Sequence, residues 1–183
     1  MNAAQREQVA SRLWPAGPAS PRGVWAVLDG ARDARVHLAL IESRLESLCL
    51  YSGSVPRALE QNAPHLVQLL PGHRLTERLL GDAWGQSWGV LLTIDDAANL
   101  RHHLRKLLRV TAPGGRALLF RFYDPRVLRA YLPTCTPDEL AQVFGPIASF
   151  CVEGEGGATL IEFAREAGRL RRTEVALPDV AAA

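Results

Sequence analysis

ALLFRFYDPRVLRAYLP, residues 117–133, decides how the fold reads, because it joins an apolar strand, a polar cluster and a helix start in one short stretch. RALLFRF (116–122) has the composition of a buried strand. Asp124-Pro125 then opens a helix, with the carboxylate positioned to accept a first-turn N–H and the proline ring presetting φ. Strand alternation sets Arg121 and Tyr123 on one face and Phe120 and Phe122 on the other. A buried network of Arg121, Tyr123, Asp124 and Arg126 would fix how strand and helix meet.

Upstream, the same alternation of elements recurs. VWAVLD (24–29) is a strand closed by Asp-Gly, and ARVHLALIESR (34–44) has helical spacing. LCLYSG (48–53), HLVQLL (65–70) and SWGVLLTI (87–94) read as strands, separated by helices at 55–62 and 74–84. A further helix over 97–109 is capped by Asp95 or Asp96, and APGG (112–115) is a turn. Downstream, Thr136 and Glu139 have capping-box spacing, and Gly145-Pro146 stops that helix. IASFCVE (147–153) and ATLIEFA (158–164) flank GEGG as an antiparallel hairpin.

The expected fold class is therefore α/β: a mixed, partly parallel sheet with flanking helices, then a C-terminal segment of two helices and a β-hairpin. Residues 1–21 are expected to be an N-terminal helix and linker, 22–165 the core domain, and 166–183 a flexible tail. The helix over 4–13 has few apolar positions and is expected to bury little.

The 183 residues, 48% apolar and 22% charged, suit one globular domain. No apolar run reaches membrane-spanning length, and the N-terminus lacks a secretory pattern, so a cytoplasmic, non-membrane protein is expected. A net charge of +2 argues against a dedicated nucleic-acid binder. Cys49, Cys135 and Cys151 have no metal-site spacing and read as free thiols of a reducing compartment.

Catalytic patterns are weak. GxGxxG and the P-loop are absent, and no cofactor or metal motif is present. GQSWG (85–89) matches G-x-S-x-G, but it lies between a helix and a strand, whereas a nucleophile elbow needs strand, turn, helix. Asp29 and Asp33 flank a strand end, with His37 nearby. A small hydrolase or transferase using Asp29, Ser87 or a histidine, or a regulatory ligand-binding domain at the strand ends, is the alternative to an interaction protein. Asp29 also suits a turn and cap acceptor. Trp84 and Trp88 suit either core packing or a partner surface. Arg101, Arg105 and Arg109 form either a docking face or a solvated helix face.

FRFYDPRVL (120–128) followed by LPTCTPDELAQVFGPI (132–147) resembles the type VI secretion adaptor family, also called effector-associated chaperones. WAVLDGARDARV (25–36), CLYSG (49–53), WGQSWGVLL (84–92) and LRHHLRKLLRV (100–110) support the resemblance in the same order, from about 22 to 165. It implies a non-catalytic loader that holds a secreted toxin effector in the cytoplasm and delivers it to the C-terminal region of the VgrG spike protein. It carries over no catalytic or cofactor residue. Docking is expected around Trp84, Trp88, Arg101, Arg105 and Arg109. The segments 1–21 and 166–183 lie outside the resemblance, as partner-specific arms or inert ends.

Overall fold

β1 (Gly23–Asp29) is an inner strand of a sheet that divides the core in two. The computed structural model describes residues 1–17, 22–111 and 114–178. In chain order α1 is Ala3–Leu13, and β1 leads to α2 (Ala34–Ser43), β2 (Ser47–Cys49), α3 (Arg57–Gln61) and β3 (Pro64–Leu69). Next come α4 (Arg74–Leu79), β4 (Gly89–Ile94), α5 (Leu100–Leu107), β5 (Arg109–Thr111) and β6 (Ala117–Leu119). The chain continues through α6 (Pro125–Tyr131), α7 (Pro137–Phe144), β7 (Ile147–Glu153), β8 (Thr159–Glu166) and β9 (Arg169–Ala176).

The main sheet has seven strands in the order β2-β3-β1-β4-β7-β8-β9. Every neighbouring pair is antiparallel, which corrects the expectation of a partly parallel sheet. The connections explain it. β1 and β2 run the same way, joined through α2, but β3 lies between them; β3 and β4 also run the same way, joined through α4, but β1 lies between them. The two crossovers interleave, so strands of like direction never touch. Alternation of strand and helix reveals the crossovers but not the strand slipped between them.

Period-two alternation then builds a core on each face. Val24, Ala26 and Leu28 of β1 join a cluster with Val9 and Leu13 of α1, Val36 and Leu40 of α2, and Leu75 and Leu79 of α4. Val27 faces the other way, into a cluster with Leu104 of α5, Leu128 of α6, and Val143 and Phe144 of α7. The result is three layers, helices on both faces of one sheet.

Several local expectations hold. Asp124 caps α6, with its side chain accepting from Arg126 N and Pro125 at the first turn. Thr136 and Glu139 form the capping box of α7. β7 and β8 form the hairpin around 154–157.

Others need correction. The stretch 116–122 supplies no strand to the main sheet: only Ala117–Leu119 is strand, paired with β5 in a separate ribbon. Arg121 and Tyr123 therefore share no strand face; they lie in the turn that leads into α6. The expected flexible tail contains β9, paired along its length with β8, and Leu177 beyond it is buried. Residues 179–183 of that tail, and 18–21 of the expected linker, lie outside the described residues. The helix expected to bury little has Val9 and Leu13 fully buried, and its Gln5 and Gln8 donate to the carbonyls of Pro178 and Ala176. α1 thus packs on the domain beside the end of β9.

Candidate functional site

Two polar constellations and one exposed ribbon are set by this fold. The first lies where β1 ends and α6 begins. Asp29, 1% exposed, accepts from the backbone N–H of Ala31 (3.1 Å) and from the guanidinium of Arg121. Asp124, 3% exposed, accepts a two-point fork from Arg126 at 3.0 and 2.7 Å as well as capping α6. Arg121 also approaches Asp124 at 4.0 Å and stands over the ring of buried Tyr123. The structure brings Arg121, Tyr123, Asp124 and Arg126 together with Asp29, but only the carboxylates and the tyrosine are buried: the Arg121 and Arg126 side chains are 43% and 50% exposed. Burial pushes the Tyr123 hydroxyl up. For Asp124 burial is the largest single influence and acts upward, but the Arg126 fork and amide bonds, with Arg121 beside them, together hold its carboxyl below the usual range. The network locks β1 to the start of α6, as a charged joint whose groups already have partners.

The second constellation uses a residue that the sequence reading missed. Glu153, at the end of β7 and 6% exposed, takes the backbone N–H groups of Gly85 (2.6 Å) and Ser87 (2.7 Å). Ser87 Oγ adds a bond at 3.3 Å. The loop 84–89 is therefore wrapped around an internal carboxylate, and Ser87 sits at φ 57° to let its N–H converge on it. Trp84 donates its indole N–H to Gly157 O at 3.0 Å, tying the same loop to the β7–β8 turn. Gly85 and Gly157 pack so closely that a Cβ on Gly157 would lie 3.0 Å from Gly85 Cα. Desolvation raises the Glu153 carboxyl, and the bonds from Gly85 and Ser87 only partly offset it. The available signal was an acid ending an otherwise apolar strand immediately before a glycine-rich turn.

The residues expected as an alternative catalytic centre do not converge. Asp29 turns to Arg121, Asp33 caps α2 and pairs with Arg35, and His37 packs against His65 with ring centroids 6.2 Å apart. The N–H groups of Gly85 and Ser87 within GQSWG are directed at Glu153, and the segment runs from helix to strand, not from strand to helix as a nucleophile elbow does. Among the described residues, no group of three or more His, Cys, Asp or Glu could hold a metal ion, and no helix is long and apolar enough to cross a membrane.

The residues expected at a partner surface separate into distinct roles. Trp88 is 4% exposed, in the core with Arg35 and Arg78 over its ring at 5.5 and 5.9 Å, so packing and not surface accounts for it. Trp84 is half-buried in the loop just described. Arg101 donates to Cys49 O at 3.0 Å, and Arg105 to Leu50 O (3.2 Å) and Tyr51 O (2.6 Å), so both fasten α5 to the exit of β2. Arg109 is exposed, on the β5–β6 ribbon, where all six strand residues are exposed. Between Ala97 and Tyr123 there are six Arg or Lys and no Asp or Glu, against +2 for the whole chain, leaving −4 on the remainder. The sequence reading weighed part of this stretch as the Arg101–Arg109 helix face, but Arg109 lies on β5, beyond the end of α5.

Fold and site together define a three-layer α/β/α domain built on an antiparallel sheet, internally locked by the three buried carboxylates of Asp29, Asp124 and Glu153 and presenting one exposed ribbon that carries Arg109. The profile of the family described as Domain of unknown function (DUF4123) matches residues 24–142, from β1 into α7, and the chain belongs to that family. Neither the curated proteins nor the solved structures offer a match. The matched segment is shorter than the resemblance over 22–165 and stops before Glu153.

Proposed function

We propose that this protein is a non-catalytic adaptor that binds a cognate type VI secretion effector in the cytoplasm and delivers it to the C-terminal region of the VgrG spike. The family membership and the motifs between 25 and 147 support the reading. The observation that carries it is the engagement of the two groups an enzyme would use. Asp29 is buried in a salt bridge with Arg121, and Ser87 is buried against Glu153. Both serve the scaffold, which leaves function to the outer surface. An adaptor needs a rigid frame with one apolar and charged face to bury a partner segment, and the exposed β5–β6 ribbon with Arg109, Leu118 and Leu119 supports that reading. Co-expression with the products of neighbouring genes, followed by pull-down, tests the proposal. Stable capture of a toxin together with a spike protein is expected. Failure to capture either, with the adaptor intact and folded, overturns it.

A further inference from the structure

We infer that the groove between the β5–β6 ribbon and α3 is the seat of an extended partner segment in which acidic and apolar residues alternate. The inference rests on the adaptor reading and names the surface and the chemistry of its occupant.

Register supplies the geometry. Arg109 lies opposite Leu119, and Val110 opposite Leu118, so Arg109 and Leu119 share one ribbon face. That face, with Tyr51, Val55 and Leu59, lines a groove of about 360 Å³. Leu59 and Leu119 both line it and are 58% and 52% exposed, beside Val55 and Tyr51 in one apolar lining. Among the described residues, no carboxylate is part of the lining. Arg105 is held to the carbonyls of Leu50 and Tyr51, whereas Arg109 has no ion-pair partner among the described residues. The ribbon is only two strands, so each strand has one unpaired backbone edge. An isolated two-stranded ribbon is marginal in water and gains from an added strand.

These features select the occupant. Apolar side chains fit between Leu59 and Leu119, and carboxylates meet Arg109, with the Arg105 guanidinium also in the lining. A single-stranded nucleic acid would need a run of stacking rings, and the walls here are mainly aliphatic.

The test uses the full chain and a fluorescent short peptide of alternating Glu and Val, read by anisotropy, with a Lys/Val peptide and single-stranded oligo-dT as comparators. Expected is binding of the Glu/Val peptide alone, weakened by salt and about tenfold weaker in Arg109→Glu. A second variant, Leu59→Ser/Leu119→Ser, should weaken it with less salt dependence. Unchanged binding in both folded variants, or tighter binding of the oligonucleotide, overturns the inference. So does sedimentation showing that the same groove closes a dimer of this chain. Capture of the co-expressed toxin that survives both variants overturns the groove and leaves the adaptor standing. Peptide binding that follows the expected pattern without capture of toxin or spike supports the groove and overturns the adaptor reading.

Discussion

The carboxylate of Glu153 holds the backbone N–H groups of Ser87 and Gly85 at 2.7 and 2.6 Å, joining the end of β7 to a loop 66 residues earlier in the chain. Replacing it by alanine leaves two N–H groups without their acceptor in a buried place. Glu153→Ala is therefore expected to cost about 3 kcal/mol, and Glu153→Gln, which keeps one acceptor, clearly less. Urea unfolding of the two variants beside the wild type checks the order. Ser87→Ala, which removes only the 3.3 Å hydroxyl bond, should cost under about 1 kcal/mol.

Asp124 and Glu153 predict opposite responses to pH. Asp124 titrates below its ordinary value in the folded protein, despite the upward pull of burial, because the Arg126 fork and amide bonds with nearby Arg121 outweigh it. Its contribution is present above the unfolded aspartate value and is lost as pH falls through the folded one. Glu153 titrates above its ordinary value because desolvation dominates. Its contribution is full below the unfolded glutamate value and is lost as pH rises through the folded one. The stability gap between wild type and Asp124→Asn should thus shrink on acidification below pH 4. The gap to Glu153→Gln should shrink on raising pH from the ordinary glutamate range towards neutrality. Unfolding midpoints measured across both windows decide it; parallel curves would contradict the assigned directions.

Arg105 on α5 and Arg109 on β5, four residues apart, separate stability from binding. Arg105 spends its guanidinium on Leu50 O and Tyr51 O, so Arg105→Ala should cost about 1–2 kcal/mol, and Arg105→Lys should recover little because the fork is lost. Arg109 is exposed, so Arg109→Glu should leave the melting temperature within error. Thermal unfolding of the three variants checks this.

The strengths of the sequence reading were local. Caps at Asp124 and at Thr136 with Glu139, and the hairpin at 154–157, are short-range chemistry that four or five residues encode completely. Its failures were of two kinds. The antiparallel sheet depends on β3 entering between β1 and β2, a pairing of residues such as Leu28 and His65 that no local pattern records. β9 was missed because it is an edge strand: Arg169, Arg171, Arg172 and Glu174 give it the charges that discourage strand-to-strand aggregation, and these read as a tail. At the site, the Asp124 cap was legible from spacing, whereas the strand alternation that grouped Arg121 with Tyr123 does not exist, and Asp29 joins Arg121 across 92 residues through the fold alone. Arg101 and Arg105 looked like surface cations because nothing in their own helix shows that β2 ends beneath them.

His103 and Gly145 supply the sharpest packing test. Gly145 ends α7 at φ 47°, and a Cβ there would fall within the His103 ring, which is itself held to Val143 O at 2.9 Å. Gly145→Ala combines a strained backbone with a collision against a half-buried side chain, and is expected to cost about 2–3 kcal/mol. His103→Ala alone loses one hydrogen bond and some packing, about 1–2 kcal/mol. If collision is part of the glycine effect, the double variant must be less destabilised than the sum of the singles, by about 1 kcal/mol. A double-mutant cycle by urea unfolding measures that coupling. Strict additivity would assign the whole effect of Gly145 to its backbone conformation and none to the α5–α7 contact that His103 makes.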